Sequence, residues 1–279
     1  MNKNPVASFL LPDEFRRPPL VRMLHEGRLV GEASRHAVRG LSAARTRTPY
    51  AGSAPARDAD PVLLVPGFMA GDYTLAGLSR QLRREGHRTY RAGIPVANMG
   101  CTLDTAEMIE SRLEAIVARR EQRVQIVGHS LGGMLARGIA ARRPDLVSGI
   151  VTMGSPVLAP GAHHRSLTMF VLGLVAMSKV GVSGVMNETC VGGECALESF
   201  QESQVPLPSD VSFTAIYSRN DGIVDWRACL DPAAAHVEVR ASHIGMAVDP
   251  RVSDEVLSAL RTHREGAAAA ASSLRVATA

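Results

Sequence analysis

One short turn constrains the fold of this chain more than any other feature. Residues 128–132 read Gly-His-Ser-Leu-Gly, a Gly-x-Ser-x-Gly pattern. The apolar run at residues 123–127 predicts a buried strand before it, and residues 134–143 predict a helix that Pro144 ends. A strand, this turn and a helix form a nucleophile elbow, in which glycines permit a strained turn and the serine hydroxyl is exposed at the tip. The sequence therefore predicts Ser130 as a nucleophile.

Strands and helices alternate along the middle of the chain. Further strands are predicted at residues 61–65, 87–91, 147–153, 211–217 and 236–239, and further helices at residues 73–85, 103–120 and 253–264. This alternation is typical of an α/β fold with a mostly parallel central sheet flanked by helices and a site at the carboxyl ends of the strands. We assign residues 61–265 to one catalytic domain.

The two ends of the chain differ from this domain in composition. Residues 1–60 are rich in arginine and predict a basic amphipathic helix followed by a linker at residues 48–60. The helix places apolar or small residues on one face, namely Leu24, Gly31, Val38 and Leu41. We expect it to pack against the catalytic domain, with contact to a membrane surface or a partner as the alternative. The alanine-rich residues 266–279 predict a flexible tail or a frayed helix.

A serine nucleophile needs a base that takes its proton and an acid that orients the base. Asp221 lies on a polar turn directly after the strand at residues 211–217, where the acid is required in this order of elements. Asp225 is the nearby alternative. His243 follows the next strand in a loop of small residues, and the other histidines fit the position of the base less well. The predicted catalytic residues are therefore Ser130, Asp221 and His243.

Acyl transfer also needs hydrogen-bond donors for the oxyanion that forms in the transition state. One donor is expected to be the backbone amide after the nucleophile, which belongs to Leu131. The other is expected in the loop after the first strand, where Gly67 allows the backbone of Phe68 to approach the site. We predict the amides of Phe68 and Leu131 as the oxyanion hole.

These motifs together resemble the α/β-hydrolase superfamily, most closely its bacterial lipase and esterase branch. The resemblance covers residues 61–264 and rests on Val-Pro-Gly-Phe at 65–68, Gly-His-Ser-Leu-Gly-Gly at 128–133, Gly-Ser-Pro at 154–156, Asn-Asp-Gly-Ile-Val at 220–224 and Ser-His at 242–243. It implies an eight-stranded sheet, a covalent acyl-enzyme on Ser130 and a cap inserted before the acid-bearing strand. The common His-Gly of the oxyanion loop is Pro66-Gly67 here, which leaves the amide donor intact.

The expected cap lies at residues 157–208. Within it, residues 167–177 form a stretch that is apolar almost all round and includes Met169 and Met177. An apolar helix beside the site indicates a groove for an acyl chain, and methionines adapt to varied shapes. A plain core helix is the alternative. If the helix is a lid, carboxylic esters with medium or long acyl chains are the favoured substrates.

Other reaction classes use related machinery. We expect a serine esterase or lipase whose partner is a small ester, while an acyltransferase or a thioesterase would use the same three residues. A non-catalytic interaction protein on this scaffold is disfavoured, because such proteins usually lose the serine, acid or histidine. Dehalogenase or epoxide-hydrolase chemistry would need an aspartate where Ser130 stands.

Composition excludes several other roles. The net charge of +4 is too mild to indicate nucleic-acid binding without a clustered basic surface. No clear signal peptide or membrane-spanning run is present, so a cytoplasmic protein is expected, with export as the alternative. We expect no cofactor and no metal. The four cysteines predict buried thiols, and a disulfide from Cys195 to Cys190 or to Cys229 is the rival. The sequence does not indicate an oligomeric state.

Overall fold

Six parallel strands form the centre of the protein. A computed structural model of the chain describes residues 7–45 and 60–277. The strands are β1 (Pro61–Val65), β2 (Arg88–Arg91), β3 (Val124–His129), β4 (Val147–Met153), β5 (Ser212–Tyr217) and β6 (Ala235–Glu238). They lie in the order β2-β1-β3-β4-β5-β6, and every neighbouring pair is parallel. The predicted α/β fold with a parallel sheet is thus confirmed.

The sheet is smaller than the resemblance implied. In the described ranges it has six strands rather than eight, because residues 7–45 ahead of β1 are helical where they are regular. They contain two 3-10 segments, Ser8–Leu10 and Leu20–Arg28, and the helix α1 (Leu29–Arg45). The linker expected at residues 48–60 lies outside the described residues except for its last position.

Helices cover both faces of the sheet. They are α2 (Ala76–Arg84), α3 (Thr102–Arg120), α4 (Leu131–Arg142), α5 (Arg165–Lys179), α6 (Glu188–Gly192), α7 (Glu194–Gln204) and α8 (Pro250–Ala277). Successive side chains of a strand point to opposite faces, so β1 contributes Leu63 to the core under α3 and α4, and Leu64 to the core under α2 and α8. Burial on both faces explains why the inner strands β1 and β4 are largely apolar rather than alternating.

The amino-terminal segment attaches in an unexpected orientation. It does lie against the domain, next to α8 and the 3-10 segment Ile244–Ala247. However, two of the apolar side chains on the face named from the sequence are turned to solvent, with Leu24 76% and Val38 64% exposed. Polar residues such as Glu32, which is fully buried, make contacts with the domain instead.

The carboxyl-terminal region also differs from the sequence-based expectation. The last helix was predicted at residues 253–264, but α8 begins at Pro250 and continues to Ala277. The alanine-rich residues, for which a flexible tail or a frayed helix was expected, extend this helix as far as it is described. High helix propensity of alanine accounts for the extension.

The cap consists of α5, α6 and α7, inserted between β4 and β5. Helix α7 packs on α4, which brings the cap over the carboxyl ends of the strands. Helix α5 is not a plain core helix, because Met169 and Phe170 are exposed while Leu174 and Val175 are buried. Within the described ranges, no helix combines the length and apolar character needed to cross a membrane.

Candidate active site

Ser130 occupies a strained turn between β3 and α4. Its backbone has φ 52° and ψ −120°, a conformation with positive φ that non-glycine residues rarely adopt. Such a conformation costs about 1–3 kcal/mol and persists only where the surroundings enforce it. Here the Ser130 amide donates to the carbonyl of Met153 at the end of β4, at 2.8 Å. The turn thus presents the serine side chain at the carboxyl edge of the sheet.

Close backbone contacts explain the glycines around this turn. A Cβ at Gly128 would lie 2.5 Å from the carbonyl carbon of Gly132. A Cβ at Gly132 would overlap the carbonyl oxygen of Val65, and one at Gly133 would overlap the hydroxyl of Ser155. Side chains at these positions would push α4 away from β1 and β3. The glycines therefore hold the first turn of α4 against the strands that flank Ser130.

Asp221 and His243 form a buried pair in the loops after β5 and β6. The Nδ1 atom of His243 lies 2.6 Å from Oδ2 of Asp221, and both side chains are almost fully buried. Because a carboxylate only accepts, Nδ1 carries the proton and Nε2 keeps its lone pair. The other carboxylate oxygen, Oδ1, accepts from the amides of Ile223 at 2.8 Å and Val224 at 2.7 Å.

Asp225, the alternative acid, faces elsewhere. Its Oδ1 accepts from the amide of Arg227 at 3.2 Å, where it caps the 3-10 segment Trp226–Cys229. Its Oδ2 accepts from the amide of Arg16 at 3.2 Å. Asp225 therefore holds its own turn and the amino-terminal segment, while Asp221 contacts the histidine.

The surroundings of His243 raise its pKa. Burial acts to lower the pKa of the imidazole, but the charge of Asp221, its hydrogen bond and the charge of Glu26 outweigh burial. The result is a pKa above the ordinary value of 6.5. This side chain is thus poised to hold a proton in an environment that would otherwise exclude charge.

Ser130 and the Asp221–His243 pair both lie at the carboxyl end of β4. A Cβ on Gly154, the residue after β4, would lie 3.2 Å from His243 Nδ1 and 3.3 Å from Asp221 Oδ2. The Ser130 amide donates a hydrogen bond to the carbonyl of Met153, the residue directly before Gly154. Within the described part of the chain, no hydrogen bond joins the Ser130 hydroxyl to His243. The three predicted residues thus lie at one strand end, without a hydrogen bond between the Ser130 hydroxyl and the His243 imidazole.

His129 is a further histidine of the site. Its Nε2 lies 3.0 Å from the backbone carbonyl of His243, and the two rings are 5.0 Å apart. Burial and the neighbouring His243 lower the pKa of His129 to about 4. A neutral His129 therefore donates to the loop that carries His243. Its position inside the elbow marks it in the sequence, but its partner lies 114 residues away and leaves no sequence signal.

The predicted oxyanion donors lie beside Ser130. Leu131 is the first residue of α4, and the first amides of a helix have no acceptor within the helix. Phe68 follows β1 and Gly67, whose Cβ would lie 3.0 Å from Cβ of Ser130. Phe68 and Leu131 line the same cavity as Ser130. The arrangement thus brings both backbone segments to the serine.

An apolar cavity of about 150 Å³ opens from Ser130 under the cap. Its walls combine residues of the oxyanion loop, α4, the cap helices and the amino-terminal segment, including Leu10, Phe68, Leu131, Met134, Leu167, Val171, Met186, Val191 and Phe200. His163 also lines it, and burial lowers the pKa of this imidazole to about 4. A neutral His163 beside the apolar side chains suits an aliphatic ligand.

Three cysteines meet at the base of the cap. The sulfur atoms of Cys101, Cys190 and Cys195 lie within 4.8 Å of one another, and all four cysteines are free thiols. Spacing alone could not bring Cys101 to the other two. The Cys190 thiol donates to Oδ1 of Asn187 at 3.2 Å, and burial with the neighbouring Cys190 raises the pKa of Cys101 to about 12.

Comparisons with known proteins agree with this architecture. Residues 60–178 match the family model described as alpha/beta hydrolase fold. A triacylglycerol lipase of Vibrio cholerae is 32% identical over 113 residues. That match covers 38% of this chain and 33% of the lipase, so the chain spans well under half the length of this curated relative.

Two solved structures share the fold. The mature form of the Bacillus licheniformis lipase BlEst2 superposes with a TM-score of 0.58 at 14% identity, covering 75% of this chain and 94% of that one. The metagenomic carboxyl esterase MGS0156 superposes with a TM-score of 0.55 at 17% identity, covering 75% and 76%. The chain therefore has the α/β-hydrolase fold, which it shares with a Bacillus licheniformis lipase and a metagenomic carboxyl esterase.

Proposed function

We propose that this protein is a serine hydrolase that cleaves carboxylic esters through an acyl-enzyme on Ser130. His243 Nε2 takes the Ser130 proton as the hydroxyl oxygen attacks the ester carbonyl carbon. Asp221 keeps the proton of Nδ1 in place and stabilises the imidazolium. The imidazolium then gives its proton to the departing alcohol, and water repeats the sequence to release the acid and free Ser130.

The oxyanion of each tetrahedral intermediate is stabilised by the amides of Phe68 and Leu131. Fixed amides at a helix amino terminus need no reorganisation when negative charge develops. The loss of one such donor typically costs on the order of 10²–10³ in kcat. The approach of Gly67 to Ser130 supports this assignment, because it leaves room for the Phe68 backbone beside the nucleophile.

One observation carries the proposal. Ser130 has a strained backbone with φ 52°, opens into an apolar cavity and lies at the strand end that holds a buried His243–Asp221 pair. A structural serine has no need of such strain. The combination fits a nucleophile whose base is oriented by a carboxylate.

The cavity and the cap point to esters with an aliphatic acyl chain. The walls are mostly apolar, with Leu, Val, Met and Phe as the largest group, and no lysine or arginine of the described residues lines them to pair with a charged acyl group. The similar Vibrio cholerae protein is named a triacylglycerol lipase, which supports the same class. Exposed Met169 and Phe170 on α5 would suit contact with a lipid interface.

The test is a series of p-nitrophenyl esters of increasing acyl length. Wild type is expected to hydrolyse them, and Ser130→Ala is expected to lose on the order of 10⁶ in kcat. A fluorophosphonate should add one covalent label per chain, located on Ser130 by mass spectrometry. Activity that survives in Ser130→Ala would refute the mechanism. Product analysis with an added alcohol separates hydrolysis from acyl transfer.

A further inference from the structure

Glu26 joins the two loops that carry the acid and the base. Its Oε1 accepts from the amide of Gly222 at 3.0 Å and from the amide of His243 at 2.9 Å. Its Oε2 accepts from the amide of Ile244 at 3.1 Å. One carboxylate from the amino-terminal segment therefore spans the Asp221 loop and the His243 loop, about 200 residues later in the chain.

Glu32 holds the residue before His243. It is fully buried, its Oε1 accepts from the amide of Ser242 at 2.9 Å, and its Oε2 accepts from the Ser242 hydroxyl at 2.6 Å. A Cβ at Gly245 would overlap the Glu32 carboxylate, so the loop is shaped around it. A buried carboxylate is costly unless its oxygens are hydrogen-bonded, and here both are.

The pattern of charges sets these two residues apart. They are the only acidic residues between Phe15 and Arg45. Three arginines of the same segment bind the domain: Arg35 pairs with Asp249 at 2.8 Å, Arg39 pairs with Asp254 at 2.9 Å, and Arg22 donates to the carbonyl of Arg219 at 2.9 Å. Arg35 and Arg39 thus attach the segment to the start of α8, while the two glutamates accept hydrogen bonds from the loop that carries His243.

We propose that Glu26 and Glu32 are positioning residues for the base of the ester-cleaving site. Their carboxylates fix the backbone of residues 242–244 and of Gly222, so that His243 stays aligned between Asp221 and Ser130. The segment that contains them is then part of the active-site scaffold rather than an accessory basic helix. The inference rests on the proposed function and adds residues that neither touch substrate nor belong to the Ser-His-Asp set.

An electrostatic consequence separates this role from simple attachment. The charged or titratable groups that face His243 are Asp221, Glu26 and His129, with Glu32 bonded to the preceding residue. Burial keeps His129 neutral, and the charges of Asp221 and Glu26 favour the imidazolium. Removing the Glu26 charge should therefore lower the pKa of His243, and a merely structural contact would not have this effect.

The test compares Glu26→Gln with two matched controls. In Glu26→Gln the charge is lost, and the NH2 group that replaces Oε2 cannot accept a hydrogen bond from the Ile244 amide. We expect kcat to fall about tenfold with little change in KM. The acidic limb of kcat/KM should move to lower pH by roughly 0.5–1 unit. Glu114→Gln, on the far surface of α3, and Arg39→Gln, in the same segment, should leave the pH profile unchanged.

Three further experiments distinguish positioning from simple attachment. Glu26→Asp retains the charge and should restore most of the pH profile. An NMR titration of the His243 imidazole reports the pKa without any substrate, and hydrogen exchange of the 242–244 amides reports the loss of the Glu32 contacts in Glu32→Ala. An unchanged profile and titration in Glu26→Gln, with only a lower melting temperature, would overturn the inference. An inactive wild type would refute the proposed function alone, since the titration would still decide the inference.

Discussion

The two halves of the candidate site are held in place by different means. The nucleophile half is built from backbone: Ser130 is fixed by the packing of Gly128, Gly132 and Gly133 against strands next to it in the sheet. The acid–base half consists of the two loops after β5 and β6, at one end of the sheet. Side chains from the amino-terminal segment accept hydrogen bonds from these loops. The first half needs only the fold itself. The second needs a segment distant in sequence to be docked correctly.

Because of this difference, mutations in the two halves should affect activity and stability differently. A change at the elbow must disturb the sheet or α4, so activity and stability should fall together. A change in the contacts of the acid–base loops can leave the folded core intact, because their partners lie at its surface. Predictions that alter one half at a time therefore test whether the two halves are independent.

After the loss expected for Ser130→Ala, the largest effect is expected at the acid. Asp221→Asn keeps the size of the side chain but removes the charge, and its amide can hold the imidazole in the wrong tautomer. We expect kcat/KM to fall on the order of 10⁴-fold with a nearly unchanged melting temperature. Asp225→Asn is the control, because Asp225 bonds to Arg227 and Arg16 instead. A loss confined to Asp225→Asn would reverse the assignment of the acid.

The next effect is expected at the elbow. Gly132→Ala places a methyl group on the Val65 carbonyl, so α4 must shift and Ser130 with it. We expect a loss of about 1–3 kcal/mol in the free energy of unfolding and a fall of about 100-fold in kcat. Gly138→Ala on the same helix is the control, since its Cβ would meet nothing closer than 3.8 Å. Equal behaviour of the two variants would show that the glycine packing is unimportant.

The sequence predicts the features of the site that depend on local patterns. The strand bounds at β1 and β4 are as predicted, and β3, β5 and β6 differ by one or two residues, because apolar runs between turn residues are local signals. Ser130, Asp221 and His243 also follow from local patterns, namely the turn after each strand. Their catalytic roles are predictions, while their placement at the carboxyl end of the sheet follows from the parallel order of the strands.

What the sequence did not reveal depends on contacts between distant residues. The aliphatic side chains of the amino-terminal segment share one helical face, yet two glutamates of the segment contact the domain. Their carboxylates accept hydrogen bonds from loop amides that need acceptors. Hydrophobic periodicity has no means of showing this. The meeting of Cys101 with Cys190 and Cys195 is hidden for the same reason, since it depends on how the cap lies over α3.

The acid–base half should also set the pH dependence. His243 must be neutral to accept the Ser130 proton, and its pKa is raised above 6.5. The protonated, inactive form therefore persists to higher pH than for an ordinary histidine. We expect kcat/KM to decline as the pH falls through a value above 6.5, by about tenfold per unit below it. Initial rates followed at the isosbestic wavelength of p-nitrophenol would measure this limb, and a midpoint well below 6.5 would contradict the charge arrangement.

The smallest effect is expected where the cap meets the nucleophile half, and it concerns substrate choice rather than catalysis. Val171 of α5 lines the cavity that opens from Ser130, whereas its neighbour Leu172 does not and is partly exposed. Val171→Phe should therefore occupy space needed by a long acyl chain and leave a short one unaffected. We expect the ratio of kcat/KM for decanoate over acetate esters of p-nitrophenol to fall about fivefold, somewhat less than the roughly tenfold that the loss of one full methylene contact gives. Leu172→Phe adds a ring to the same helix outside the cavity and should keep the wild-type ratio. A ratio that is unchanged in Val171→Phe, or equally reduced in both variants, would mean that the acyl chain does not lie under α5. The cap would then have no part in the choice of ester, and the cavity would be a feature of the nucleophile half alone.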